Sequence, residues 1–145
     1  MSKIAVLGTG SWATALSRVL IDNQNEIMMY GIDQEQIDDI NFNHQNEAFF
    51  HNISLESEIK ATNNLEEALM DMDYLLITIP TQFVKETLEQ VKPLIKKKIT
   101  VINAAKGFDL GTNMRMSDTI RSVLDENLIN PVVSLIGPSH AEEVV

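Results

Sequence analysis

The first fourteen residues constrain this chain more than any other stretch. Ile4-Ala5-Val6-Leu7 is a short apolar run without alternation, the pattern of a strand buried on both faces of a parallel sheet. It leads directly into Gly8-x-Gly10-x-x-Ala13, and then into a helical pattern with Trp12, Leu16, Val19 and Leu20 on one side. Strand, glycine turn and helix in that order are what a dinucleotide-binding unit requires, unless the glycines form only a structural tight turn. Gly8 lets the chain turn sharply off the strand. Gly10 leaves room for a pyrophosphate to approach the backbone, and the small Ala13 allows the helix to pack closely on the strand. The N–H groups at Ser11 and Trp12 open the helix without intrahelical acceptors, at the positive end of its dipole. A diphosphate satisfies both.

Downstream, strands and helices alternate. Glu26–Tyr30 forms the expected second strand, after a turn at Asn23-Gln24-Asn25, and Gln34–Ile40 a helix. Residues 41–58 show no period and are expected to form an irregular loop that tucks Phe42, Phe49, Phe50 and Ile53 beneath itself. Ile59–Thr62 is a short strand, and Asn63 or Asn64 caps a helix over Leu65–Met70. Tyr74–Ile79 is a strand halted by Pro80, and Thr81–Val91 a helix with Phe83, Val84, Leu88 and Val91 on one face. Ile99–Asn103 is a strand, Met114–Asn127 a helix with Met116, Ile120, Val123 and Leu124 inward, and Val132–Ile136 the last strand. The alternation predicts a single α/β domain over residues 1–145, with a doubly wound, mostly parallel Rossmann-type sheet.

Composition narrows the function. A net charge of −10 argues against nucleic acid as a partner, because phosphate neutralisation needs clustered cations. The one basic run, Lys96-Lys97-Lys98, fits a solvated loop. Cysteine is absent, and His44, His51 and His140 lack metal-ligand spacing, so no metal site is expected. No apolar run reaches membrane-spanning length and no signal peptide opens the chain, which points to a cytoplasmic protein without membrane insertion.

In parallel α/β sheets ligands bind beyond the carboxyl ends of the strands. Four such ends converge here: Gly8–Trp12, Pro80–Gln82, Ala104–Gly107 and Gly137–Ala141. Lys106 is the single charged residue among them and supplies a compact positive charge for a carbonyl, hydroxyl or phosphate oxygen, unless it is a surface lysine beside a turn. Ser139-His140-Ala141-Glu142 has capping-box spacing, and the same helix mouth can receive an anion. Asp33, twenty positions beyond Ala13, stands where a carboxylate bonds the adenosine ribose 2′-hydroxyl, or else caps the following helix with Gln36 at its third position.

Gly8–Leu16, Asn46-Glu47-Ala48-Phe49, Ile59-Lys60-Ala61-Thr62, Ala105-Lys106-Gly107-Phe108 and Gly137-Pro138-Ser139-His140-Ala141-Glu142-Glu143-Val144 occur in this order along the whole chain. Together they resemble the N-terminal domain of bacterial NAD(P)-dependent glycerol-3-phosphate dehydrogenase. The resemblance implies reversible hydride transfer between a nicotinamide and dihydroxyacetone phosphate, giving sn-glycerol 3-phosphate for phospholipid synthesis. It also implies that Ser11, Trp12 and Ala141 contact the dinucleotide, that Lys106 touches cofactor and substrate, and that Gly137 and Ser139 help to hold the substrate.

The chain departs from that family at Ala13, where glycine is usual, and at Phe49, where tyrosine places a hydroxyl near the adenosine. A basic residue suited to a 2′-phosphate is replaced by Ile32, with Asp33 following; a carboxylate there repels a 2′-phosphate, so NAD is favoured over NADP. Family members continue into a helical substrate domain carrying the acid–base lysine. The sequence ends at Val144-Val145, so it is expected to act as an excised cofactor domain with little turnover of its own. Three rival expectations are the cofactor domain of a related two-domain hydroxy-acid dehydrogenase, a nucleotide-sensing module, and a scaffold whose exposed face drives homodimerisation.

Overall fold

The computed structural model describes residues 2–105 and 115–135. The first strand, β1 (Lys3–Leu7), leads through the glycine turn into α1 (Ser11–Ile21), followed by β2 (Glu26–Tyr30) and α2 (Gln34–Asn43). After a long connection come β3 (Ile59–Thr62), α3 (Leu65–Leu69), β4 (Tyr74–Ile77) and α4 (Thr81–Val91). A 3-10 turn at Lys92–Leu94 leads to β5 (Thr100–Asn103), α5 (Met116–Val123) and β6 (Val133–Ser134). The strands form one sheet in the order β3-β2-β1-β4-β5-β6, and every neighbouring pair is parallel. The chain therefore winds outward from β1 in one direction and then, from β4, in the other.

Register makes the sheet a platform. Leu7 lies level with Tyr30 and Ile77, Tyr30 with Thr62, Ile77 with Asn103, and Asn103 with Ser134. All six strands therefore end on one line, and Gly8, Thr78 and Ala104 leave it side by side. Alternation sorts β1 between two cores. Ala5 and Leu7 join Leu75, Ile77 and Val101 beneath α3, α4 and α5, whereas Ile4 and Val6 join Ile27, Met29 and Leu76 beneath α1 and α2. Burial of each large aliphatic side chain in these layers contributes about 1.5–3 kcal/mol. Among the described residues, no helix is long and apolar enough to cross a membrane.

Several expected elements shift. In α1 the buried residues are Ala13, Thr14, Ala15 and Ser17, while Trp12, Leu16 and Leu20 are half-buried and Val19 is exposed. The helix sits so close to the sheet that small side chains fill the interface and the large ones flank it. The strand expected over Tyr74–Ile79 stops at Ile77, because Thr78 turns its hydroxyl back to donate to the Leu7 carbonyl at 2.7 Å. The helix α2 runs on to Asn43, ended by His44 in the left-handed region. Helix α5 ends at Val123 rather than Asn127: Leu124 is extended and buried, and Asp125 starts a separate turn by accepting from the Asn127 N–H at 3.2 Å. The last strand narrows to Val133–Ser134, and Ile136 lies outside the described residues. In the 41–58 connection Phe50 and Leu55 are buried and Ile53 half-buried, as an irregular core-forming loop requires, whereas Phe49 is exposed and Phe42 projects from the outer side of α2 with 75% of its surface exposed.

Candidate functional site

The sheet order reverses between β1 and β4, and the chain leaving β1 there makes the glycine turn. Gly8 has φ +128 and donates its N–H to the Tyr30 carbonyl at 2.7 Å, continuing the ladder past the strand end. Its missing Cβ would stand 2.5 Å from Thr78 Oγ1. Gly10 differs. Its φ of −82 and ψ of −165 suit any residue, and a Cβ there would meet only Phe49 Cζ, at 3.9 Å. Among the described residues, neither conformation nor packing demands a glycine at position 10. Apart from Phe49, that side of the turn is open among the described residues.

Gly10 is also the N-cap of α1, and it offers no side-chain cap; no acidic residue occupies the first turn. By contrast α2 is capped by Asp33 and α3 by Asn64. A helix N-terminus without a side-chain cap presents a positive dipole end to an anion, and here Ser11 opens it. Trp12 reaches from this first turn to the neighbouring strand end: its Nε1–H donates to the Ala104 carbonyl at 3.2 Å. The Ala105 N–H in turn donates to Asn103 Oδ1 at 3.0 Å. The backbone leading to Lys106 is thereby tied to the glycine turn. Lys106, Gly137, Ser139 and Ala141 themselves lie outside the described residues.

At the end of β2, Ile32 projects freely, 90% exposed, and Asp33 caps α2. Asp33 Oδ1 accepts from the Glu35 and Gln36 N–H groups, at 3.0 and 3.4 Å, while Oδ2 accepts from Gln36 Nε2 at 3.3 Å. The capping arrangement expected as one of two alternatives is thus present, with the carboxylate still exposed at the surface. The cleft beside it is lined by Asp33, Gln36, Asp38, Asp39, Asn46 and Ala48, together with Glu35 and Asn43; no lysine or arginine is among them. Phe49, 42% exposed, lies against the open side of Gly10.

Three residues join the site that the sequence reading did not single out. Thr9 is buried, its side chain filling the space that a Cβ at Gly31 would take, and its hydroxyl donates to Gln36 Oε1 at 2.9 Å. Gln36 thereby links the glycine turn to Asp33. Asn46 is buried beneath the turn and donates to the Thr9 carbonyl. The motif Asn46-Glu47-Ala48-Phe49 was the one available signal for it.

The segment bearing Asn46 and Phe49 is shaped by Asp39. Its Oδ2 accepts from the Glu47 N–H at 2.9 Å, and its Oδ1 accepts from Asn43 Nδ2 at 2.9 Å and Gln45 Nε2 at 3.0 Å. Burial alone would raise this carboxyl's pKa, but the Glu47, Asn43 and Gln45 bonds outweigh it and hold the group below its ordinary range. A depressed folded pKa stabilises the protein above the ordinary carboxylate pKa, and this contribution is lost as pH falls below about 4. Asp39→Asn is therefore expected to lower stability at pH 7 and to shrink the difference between urea melts at pH 7 and pH 3. An undiminished difference would show that other carboxylates, such as Asp73 held low by Lys97 and the Lys3 N–H, carry the acid sensitivity.

A parallel sheet in this order, with an open glycine turn and an uncapped helix at its switch point, defines a Rossmann-type dinucleotide-binding domain. The family described as NAD-dependent glycerol-3-phosphate dehydrogenase N-terminus matches residues 3–145, and the chain belongs to it. The glycerol-3-phosphate dehydrogenase [NAD(P)+] of Streptococcus agalactiae is 44% identical over 143 residues, covering 99% of this chain and 42% of the relative. The enzyme of the same name from Bacillus cereus is 44% identical over 144 residues, with the same coverage. In structure, the glycerol-3-phosphate dehydrogenase of Coxiella burnetii superimposes with a TM-score of 0.88 at 27% identity, over 99% of this chain and 43% of that one. The chain thus spans less than half the length of these relatives.

Proposed function

We propose that this chain is the cofactor-binding domain of an NAD(P)-dependent glycerol-3-phosphate dehydrogenase, which interconverts dihydroxyacetone phosphate and sn-glycerol 3-phosphate. The observation that carries the reading is Gly10: a glycine that nothing among the described residues requires, on the open face of a helix mouth without a cap. That cradle fits a dinucleotide. The amides of Gly10, Ser11 and Trp12 hold its pyrophosphate, with Gly8 and Ala13 bringing strand and helix close enough to present them. Phe49 covers the turn beside the bound nucleotide, and Ile32 and Asp33 face the adenosine ribose. When bound, the nicotinamide supplies or accepts the hydride. Lys106 neutralises charge on the substrate oxygen, Gly137 and Ser139 seat the substrate, and Ala141 lines the cofactor.

The carboxylates around the cleft favour NAD over NADP, because a 2′-phosphate placed among them would be repelled and would find no cation among the described residues of the cleft wall. Fluorescence titration tests both parts, because Trp12 is the chain's single tryptophan and belongs to the binding turn. The unmodified protein is expected to quench on adding NADH at lower concentration than on adding NADPH. Ile32→Arg is expected to improve NADPH binding by about 5- to 10-fold, or roughly 1 kcal/mol for one exposed charge pair, and to leave NADH nearly unchanged. Tighter binding of NADPH by the unmodified chain would refute the preference, and binding of neither nucleotide would refute the function.

A further inference from the structure

The connection between α2 and β3 carries one polar side chain into the interior, Asn46, 1% exposed. Its Nδ2 donates to the Thr9 carbonyl at 2.8 Å and to Thr14 Oγ1 at 2.9 Å. Thr14 in turn donates to the Gly10 carbonyl from both its hydroxyl, at 2.8 Å, and its N–H, at 3.0 Å. Two successive carbonyls of the glycine turn are therefore held toward the protein. In a trans peptide the N–H points opposite to the C=O, and no cis bond occurs among the described residues. The N–H groups of Gly10 and Ser11 consequently point away from Asn46, out of the turn.

We propose that Asn46 is a positioning residue for diphosphate recognition: its buried carboxamide fixes the Thr9–Gly10 peptide so that the Gly10 N–H is presented to the ligand. The inference rests on the dinucleotide reading above and assigns its geometry to a residue far away in sequence. Asn46 is itself held firmly, its carbonyl accepting from the Phe49 and Phe50 N–H groups at 3.0 and 2.9 Å, with Phe50 buried as an anchor. Its Oδ1 is buried with no hydrogen-bond partner. An unpaired buried acceptor costs stability that an apolar residue would avoid. The stability of the loop alone does not account for an asparagine here, whereas its two donors to the turn do.

The test uses the purified protein, 15N-labelled, titrated with NADH and separately with inorganic pyrophosphate, following Trp12 fluorescence and the backbone amide spectrum. In the unmodified protein the Gly10 amide is expected to move downfield on adding either ligand. Asn46→Ala and the near-isosteric, uncharged Asn46→Leu are expected to weaken NADH binding by about 10- to 30-fold and to reduce the Gly10 response by more than half. The Asp33 amide, at the ribose end, should still respond to saturating NADH as before. A folded variant that binds NADH within twofold of the unmodified protein with an unchanged Gly10 response overturns the proposal. So does an equal loss at Gly10 and Asp33, which would mark a general structural role. Should Asn46→Ala not fold, Asn46→Leu decides, because it nearly keeps the shape and removes the donors to Thr9 and Thr14 without adding a charge. If the unmodified protein binds NADH and both variants match it, only this inference falls; if the unmodified protein binds none, the dinucleotide reading falls with it.

Discussion

Gly10→Val is expected to weaken NADH binding by about 100-fold or more while the protein stays folded. The two effects separate because the site demands a glycine that the fold does not. Position 10 has φ −82 and ψ −165, which valine adopts, and among the described residues a Cβ there meets only Phe49 Cζ at 3.9 Å. The cost to folding is that of a poor N-cap residue, about 1 kcal/mol or less, equivalent to roughly 5 °C in melting temperature or less. The added isopropyl group instead occupies the face through which a diphosphate reaches the amides of the turn. Loss of two charge-assisted hydrogen bonds, at about 1.5–3 kcal/mol each, gives the stated change in affinity. Calorimetric titration with NADH, beside a thermal melt of the same sample, checks both halves. Undiminished uptake by a folded Gly10→Val protein would remove the basis for the whole functional reading.

How much of this was legible in the sequence depends on the distance over which each feature is decided. The opening strand, glycine turn and helix are local, and Leu7, Gly8 and Ser11 stand where spacing alone puts them. The alternation of elements was enough to specify a parallel, doubly wound sheet. Periodicity was only partly right on α1: Trp12, Leu16 and Leu20 pack against the core, but Val19 is exposed and close approach to the sheet selects Ala13, Thr14 and Ser17 for full burial. It failed at the end of α5, where Leu124 continues the apolar face but Asp125 offers the backbone a competing turn. Asn46 was hidden for a different reason. A polar residue in an aperiodic segment resembles any surface loop residue until the fold carries it 37 positions back onto Thr9. Gln36 and Thr9 meet across 27 positions and were equally out of reach.

Gly8→Ala should have the opposite signature to Gly10→Val, with a severe loss of stability whether or not nucleotide is present. At φ +128 an L-side chain is strained, and the new Cβ would lie 2.5 Å from Thr78 Oγ1. That hydroxyl cannot simply swing away, since it donates to the Leu7 carbonyl at 2.7 Å at the point where β4 ends. Neither can the turn drift, because the Gly8 N–H is bonded to the Tyr30 carbonyl and the flanking strands are locked in register. Backbone strain and overpacking together are expected to cost roughly 3–5 kcal/mol. For a domain whose whole stability is about 5–15 kcal/mol, that is a large fraction. Thr78→Ala separates the two causes. It deletes the colliding oxygen and leaves φ untouched, and the next neighbours of the new Cβ, Ile79 Cγ2 and Ala13 Cβ, stand at ordinary contact distances of 3.5 and 3.6 Å. In urea melts the double variant is therefore expected to recover about 1–3 kcal/mol relative to the sum of the single changes, the overpacking share, while the strain share persists. Strict additivity would mean that the collision is relieved by another route and that strain at position 8 accounts for the entire loss.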